Sequence, residues 1–341
     1  NWVWKGSVPL VPDYDRILVK LSRGGADAHV IREFDVVTRD FVEDGFTVPE
    51  AKSRVSWRDR DHLYIGTDFG PGSLSSSGYP LMVKEWTRGT PLVKAKTVYT
   101  GDPADMSAGA AVVHDRGHIH EFLLRRKTFR PSEAKILRDG TWVHINKPDV
   151  AELETFGDQL LLELRFDWTT GEQAFPAGSL IAAPIEDVLG GSPSYEVLFR
   201  PGPTTSLASI DGTRNFLILN ILDSVRNRLE QLWVTDQGWR RKAIDVPGFE
   251  TVSAWGVDPQ ESDEYWMTRT GFLSPSSLWL GTLDQGSPER VKHLPAFYDT
   301  DGLAVDQHHA TSADGTRIPY FQVSREDLEP NGGHPTLLYG Y

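Results

Sequence analysis

Residues Ser206 to Asp245 read SLASIDGTRNFLILNILDSVRNRLEQLWVTDQGWRRKAID, and this stretch decides the fold. It holds four short runs, Ser206 to Ile210, Phe216 to Leu222, Arg228 to Val234 and Arg240 to Asp245, the last two joined across Asp236-Gln237-Gly238. Strand-length runs parted by glycine-bearing turns predict antiparallel strands linked as hairpins. No long amphipathic helix interrupts them.

Working outward, the third run has counterparts along the chain: REFDVVTRDF around Phe34, VKEWTRGTP around Trp86, AKILRDGTW around Ile136, SLIAAPI around Ala182 and SLWLGTLDQG around Trp279, at spacings of 46 to 52 residues. A period near fifty with four strands per unit predicts a β-propeller of four-stranded blades. Six units are countable, at about 1-50, 51-102, 103-150, 151-202, 203-248 and 249-300. First strands such as Met106 to Val113 and Val252 to Val257 are short or rich in small residues, as crowding at a central channel requires. Leu160-Leu161-Leu162-Glu163-Leu164 is apolar on both faces, as expected for a strand buried between neighbouring blades. A pair of β-sandwiches with irregular connections is the alternative, and the even period disfavours it.

The segment from Gln307 to Tyr341 breaks the repeat. Its apolar runs, Ile318 to Val323 and Pro335 to Tyr339, flank the polar turn Glu329 to Gly333 and are expected to pair as strands opening a new domain, 301-341.

Composition removes several function classes. The 341 residues carry a net charge of -13 with no concentrated basic face, which argues against a nucleic-acid partner. No apolar run approaches the roughly 20 residues that span a bilayer, and Asn1-Trp2-Val3-Trp4 lacks the basic start of a signal peptide. Without cysteine there is no disulfide, thiolate metal site or cysteine nucleophile, and cytoplasm and periplasm are equally compatible. No phosphate-binding glycine loop, dinucleotide fingerprint or calcium loop is present, so no cofactor is expected.

Candidate chemistry is sparse. There is no Gly-x-Ser-x-Gly pentapeptide; Gly178-Ser179 and Gly191-Ser192 are the nearest serines and read as turns. His118 and His120 share one side of a strand with His114 just before, but Glu121 points to the opposite face, which favours packing over metal binding. The tryptophans at repeat-equivalent positions, Trp86, Trp233 and Trp279, read as core residues rather than as a sugar platform. The loop Gly70 to Gly78 projects from a rim as either a flexible hairpin or a contact for a partner domain. Arg125-Arg126-Lys127 emerges where a strand ends, either solvated or placed to hold a peptide carboxylate.

Specific residues then tie the tail to a family. Ser312-Ala-Asp-Gly-Thr-Arg-Ile-Pro-Tyr320 followed by Gly333-His-Pro-Thr-Leu-Leu-Tyr-Gly-Tyr341 resembles the opening of the peptidase domain of the prolyl oligopeptidase (prolyl endopeptidase) family of serine peptidases. Leu21 to Ala28, Arg32 to Asp35 and Phe272 to Ser276 resemble that family's propeller. The resemblance implies a seven-bladed propeller inserted in an α/β-hydrolase domain that carries Ser, Asp and His. Against six countable units, it implies that a first blade and most of the hydrolase domain lie outside residues 1–341, leaving a truncated, non-catalytic chain. It further implies that Tyr341 donates to the oxyanion hole, that Met106 with Arg125 or Arg126 contributes to the substrate pocket, and that Lys52 replaces an aromatic pocket residue. The expected partners are short proline-containing peptides and the chain's own peptidase domain, with a homodimer where blade faces are left open. The competing expectation is a stand-alone propeller serving as an interaction scaffold.

Overall fold

The computed structural model describes residues 1–129, 133–246 and 248–340. It is built almost entirely from strands, with one short α-helix at Ile185–Leu189 and one 3-10 turn at Leu92–Lys94. The repeated third runs are the third strands of successive antiparallel sheets: His29–Asp35, Met82–Thr87, Glu133–Arg138, Leu180–Pro184, Arg226–Thr235 and Ser277–Thr282. Five of these sheets have four strands in simple sequential order, and in the first sheet two short segments, Asp40–Phe41 and Thr47–Ala51, share the fourth position. The fold is therefore a β-propeller of four-stranded blades, numbered 1 to 6 below.

Contacts divide the chain into a unit of residues Asn1–Arg200, holding blades 1 to 4, and a unit of residues Pro201–Tyr341, holding blades 5 and 6 and a hairpin. In the first unit the second strands sit between layers: Leu160, Leu161, Leu162 and Leu164 are all buried, and Phe122, Ile136 and Ile145 from blade 3 join the same core. A strand apolar on both faces is stable only when both faces are covered, and the neighbouring sheet provides that cover.

Polar groups lock the blade junctions. Trp57 Nε1 donates to the Val8 carbonyl at 2.9 Å, Val112 N–H to Ser56 Oγ at 2.9 Å, and Gly157 N–H to Asp115 Oδ2 at 2.9 Å. His120 Nε2 donates to the Gly157 carbonyl at 2.7 Å. This fixes its tautomer and makes it a packing residue; its ring stacks on His118 at 5.8 Å, and no group of three ligands suited to a metal occurs among the described residues. Glu33, only 1% exposed, accepts two guanidinium hydrogen bonds from Arg88 at 2.9 and 3.0 Å and the Phe46 N–H at 2.9 Å. A carboxylate this deeply buried persists because three hydrogen bonds and the Arg88 charge offset its desolvation.

In the second unit, Asn220 Nδ2 donates to the Val252 carbonyl at 2.8 Å and Asn227 Oδ1 accepts the Val252 N–H at 3.0 Å, joining blades 5 and 6. The first strands of these blades, Thr205–Gly212 and Thr251–Gly256, approach so closely at their ends that a Cβ on Gly256 would lie 2.2 Å from the Gly212 carbonyl oxygen.

The tail corrects one expectation. Ile318 to Val323 lies within Arg317–Arg325, which pairs with Leu303–Thr311 and not with Pro335 to Tyr339. The turn responsible is Ser312 to Thr316, where Gly315 takes φ +86° and Asp314 accepts the Thr316 N–H at 3.0 Å and the Ser312 hydroxyl. A tight Asp-Gly turn between adjacent runs closes a local hairpin ahead of any longer connection. Phe321 of this hairpin meets Phe249 and Phe272 at 5.7 and 5.3 Å. Residues 335–339 form no strand, and Leu337 and Leu338 are each 92% exposed.

Gly256→Ala is expected to force the two first strands apart and to cost about 2–3 kcal/mol, as overpacking does. An unchanged urea midpoint for this variant would show that the strands can part freely.

Candidate functional site

Met106 and Arg126 are brought together by strand register. Met106 leads into the first strand of blade 3, Ser107–Asp115, and Arg126 ends the second, His118–Arg126; Ser107 faces Arg126, and the Met106 N–H donates to the Arg126 carbonyl at 2.8 Å. Alternation along the strand sends the two arginines different ways. Arg125 Nε donates to Asp105 Oδ2 at 2.7 Å and Nη1 to Glu133 Oε1 at 3.2 Å. The Asp105 hydrogen bond, set against partial burial, raises the Arg125 pKa further. Lys127 is bound by Glu133 at 2.7 Å and Asp149 at 3.6 Å. Two cations of the basic run are thus neutralised locally.

Arg126 is different. Its Nη1 donates only to the Phe129 carbonyl, at 3.3 Å, and no carboxylate pairs with it among the described residues. Its charge falls on Arg54, which heads the first strand of blade 2, Arg54–Asp59. The Arg54 stem runs across Gly109, where an added Cβ would meet its Cδ at 3.3 Å, so the glycine opens the path that lets this side chain cross. Burial, and then the neighbouring Arg126 charge, hold the Arg54 pKa below its ordinary value. Lys20, on the second strand of blade 1, Arg16–Arg23, is lowered in the same way, first by burial and then by Arg54. Among the described residues neither Lys20 nor Arg54 has an acidic partner. Three neighbouring blades therefore contribute one cation each to a like-charged row in a chain of net charge -13.

Lys52 is two residues before Arg54, and its Nζ donates to the Ser77 carbonyl at 3.0 Å, approaches Asp27 at 3.5 Å and lies over the Tyr79 ring at 4.5 Å. It fastens the Gly70 to Gly78 loop. That loop is internally bonded, with Ser75 N–H donating to the Tyr79 carbonyl at 2.8 Å and Leu81 N–H to the Ser73 carbonyl at 2.9 Å, and Ser73 is buried. The Lys20, Arg54 and Arg126 row can donate hydrogen bonds to peptide carbonyls or to a carboxylate, whose charge it offsets. Sequence reasoning missed Lys20 and Arg54, since nothing in their spacing marks residues 34 and 72 positions apart from their neighbours in space; the Lys52-x-Arg54 alternation was the one available signal. Tyr341 lies outside the described residues.

The fold defines the class: a β-propeller of four-stranded blades. No family profile matches the chain. Its sequence is 33% identical over 351 residues to an uncharacterized peptidase of Sinorhizobium fredii, a match covering 100% of this chain and 48% of that protein. It is 24% identical over 356 residues to an uncharacterized peptidase of Rickettsia prowazekii, covering 99% of this chain and 49% of that one. The structure of a post-proline cleaving enzyme from Rickettsia typhi superposes with a TM-score of 0.82 at 23% identity, over 96% of this chain and 50% of the other. The chain spans about half the length of the curated relatives it matches. The chain is thus similar to part of each of these two peptidases, and it shares the fold of the corresponding part of the post-proline cleaving enzyme.

Asp105 offers a test of the Arg125 assignment. Burial pushes the Asp105 carboxyl up, but the Arg125 and Asp102 N–H hydrogen bonds outweigh it, so the folded pKa lies below the ordinary value. A carboxyl lowered by folding contributes stability above its unfolded pKa, about 4, that is lost as pH falls through the folded value. Arg125→Met should therefore cost about 2 kcal/mol at pH 7, with the gap to the wild type narrowing below about pH 4. Urea unfolding at both pH values measures it, and a gap constant with pH would contradict the assignment.

Proposed function

We propose that this chain is the propeller portion of a serine peptidase that cleaves short peptides after proline, screening substrates by size while the peptidase domain performs the chemistry. The observation that carries the reading is a sequence match to a peptidase along 100% of the chain. Residues 1-300 would form the propeller and 301-341 the first strands of an α/β-hydrolase domain, with the 303–325 hairpin at its start. A covered active site excludes water and folded chains from an activated serine, which is the physical benefit of such a lid. Within this reading Arg126 and Met106, supported by Arg54 and Lys20, face the peptide, whereas Arg125 is a structural residue held by Asp105 and Glu133. Tyr341 would donate its hydroxyl to the oxyanion, a type of contact that supplies much of the rate in acyl transfer. Open blade faces would favour a homodimer, which light scattering across a concentration series would detect.

Residues 1–341 contain no Gly-x-Ser-x-Gly, and alone they are expected to leave a blocked Gly-Pro-aminomethylcoumarin substrate intact. The same chain joined to a C-terminal peptidase half should cleave it and be silenced by a serine-directed inhibitor. In that longer protein Arg126→Met should raise KM about tenfold with kcat little changed, the pattern of lost uniform binding. Absence of post-proline cleavage by the longer protein would refute the reading.

A further inference from the structure

Arg269 is the last but one residue of the second strand of blade 6, Glu264–Thr270, and is 91% buried with no carboxylate partner among the described residues. Its Nε–H is a buried donor without an acceptor, and its charge lies 4.3 Å above the Trp279 ring. Gln231, from the third strand of blade 5, is 97% buried, and its amide Nε2 likewise lacks an acceptor. Both side chains line one cavity of about 410 Å³ between the blades, with Tyr265 and Trp279 forming aromatic walls.

Desolvating a guanidinium costs several kcal/mol unless a counter-charge or a full set of acceptors is supplied. The cation–π contact with Trp279 returns only a part of this. The other charges of the cavity do not close the account. Lys242 and Asp284 neutralise each other at 2.7 Å, and Asp245 sits on the exposed rim without an ion pair to Arg269. What is left at the buried end is the Arg269 guanidinium with two donors lacking acceptors, while the Asp245 carboxylate lies at the exposed rim and Arg290 approaches the Trp279 ring at 6.0 Å. A guanidinium edge is planar and matches the two oxygens of a carboxylate, and the Asp245 carboxylate at the rim disfavours a dianion such as phosphate.

We propose that this cavity binds a carboxylate of about amino-acid to dipeptide size, gripped by Arg269 and Gln231 and packed on Trp279. This site is independent of the cation row on blades 1 to 3 and of the peptidase reading.

The test is thermal unfolding of the purified 341-residue chain at constant ionic strength with chloride, acetate, glutarate, an N-acetyl dipeptide acid and the corresponding dipeptide amide. Binding to the folded state alone should give a saturable rise in Tm of about 2–4 °C with the acids and none with chloride or the amide. A larger rise with the dipeptide acid than with acetate and glutarate assigns the carboxylate to a peptide end; the reverse assigns it to a free small acid. Arg269→Met should abolish the rise. Gln231→Glu places a tethered carboxylate in the cavity, and it should melt higher than the wild type and no longer respond. If Arg269→Met does not fold, the Gln231→Glu arm decides. No acid-dependent rise in the wild type, a rise retained in Arg269→Met, or a Gln231→Glu protein that melts lower and still responds would overturn the proposal.

Discussion

A sheet with two apolar faces cannot stand alone in water, and this constraint governs both units of the structure. Leu160, Leu161, Leu162 and Leu164 in blade 4 and Leu217 to Ile221 in blade 5 are buried. Each fully buried aliphatic side chain is worth about 1.5–3 kcal/mol, and only another sheet laid against it supplies that burial. The stacking of blades, the inward crowding of first strands and the exposure of outer strands follow from it.

How far the sequence could be read follows from the same geometry. The third strands were legible because each is a short local run at a regular interval, with turn residues just beyond it. The Ser312 to Thr316 turn was visible as Asp-Gly, yet a longer-range pairing was expected in its place. What decides between them is the lower entropy cost of closing the shorter loop. Residues 335–339 keep a strand-like composition without a strand's partner.

The candidate site was less legible, for a reason of dimension. Arg125 and Arg126 are indistinguishable in a run of three cations, and only the pleat sends one to Asp105 and leaves the other facing Arg54. Lys20 and Arg54 come from separate blades, and register across the blade junctions brings them near Arg126. Trp279, read as a core residue from its repeat position, packs against the core of blades 5 and 6 and also walls a cavity. Repeat-equivalence predicts the backbone slot, not what lies opposite it.

The junction bonds have one more consequence. Trp57, Asp115, His120, Asn220 and Asn227 grip the neighbouring blade by its peptide groups, at Val8, Gly157 and Val252, and not by its side chains. A clasp that reads only backbone is indifferent to the residue it holds. At those positions each blade can drift in composition while its neighbour keeps hold of it, unlike at the Arg88–Glu33 pair between blades 1 and 2, where both side chains are fixed.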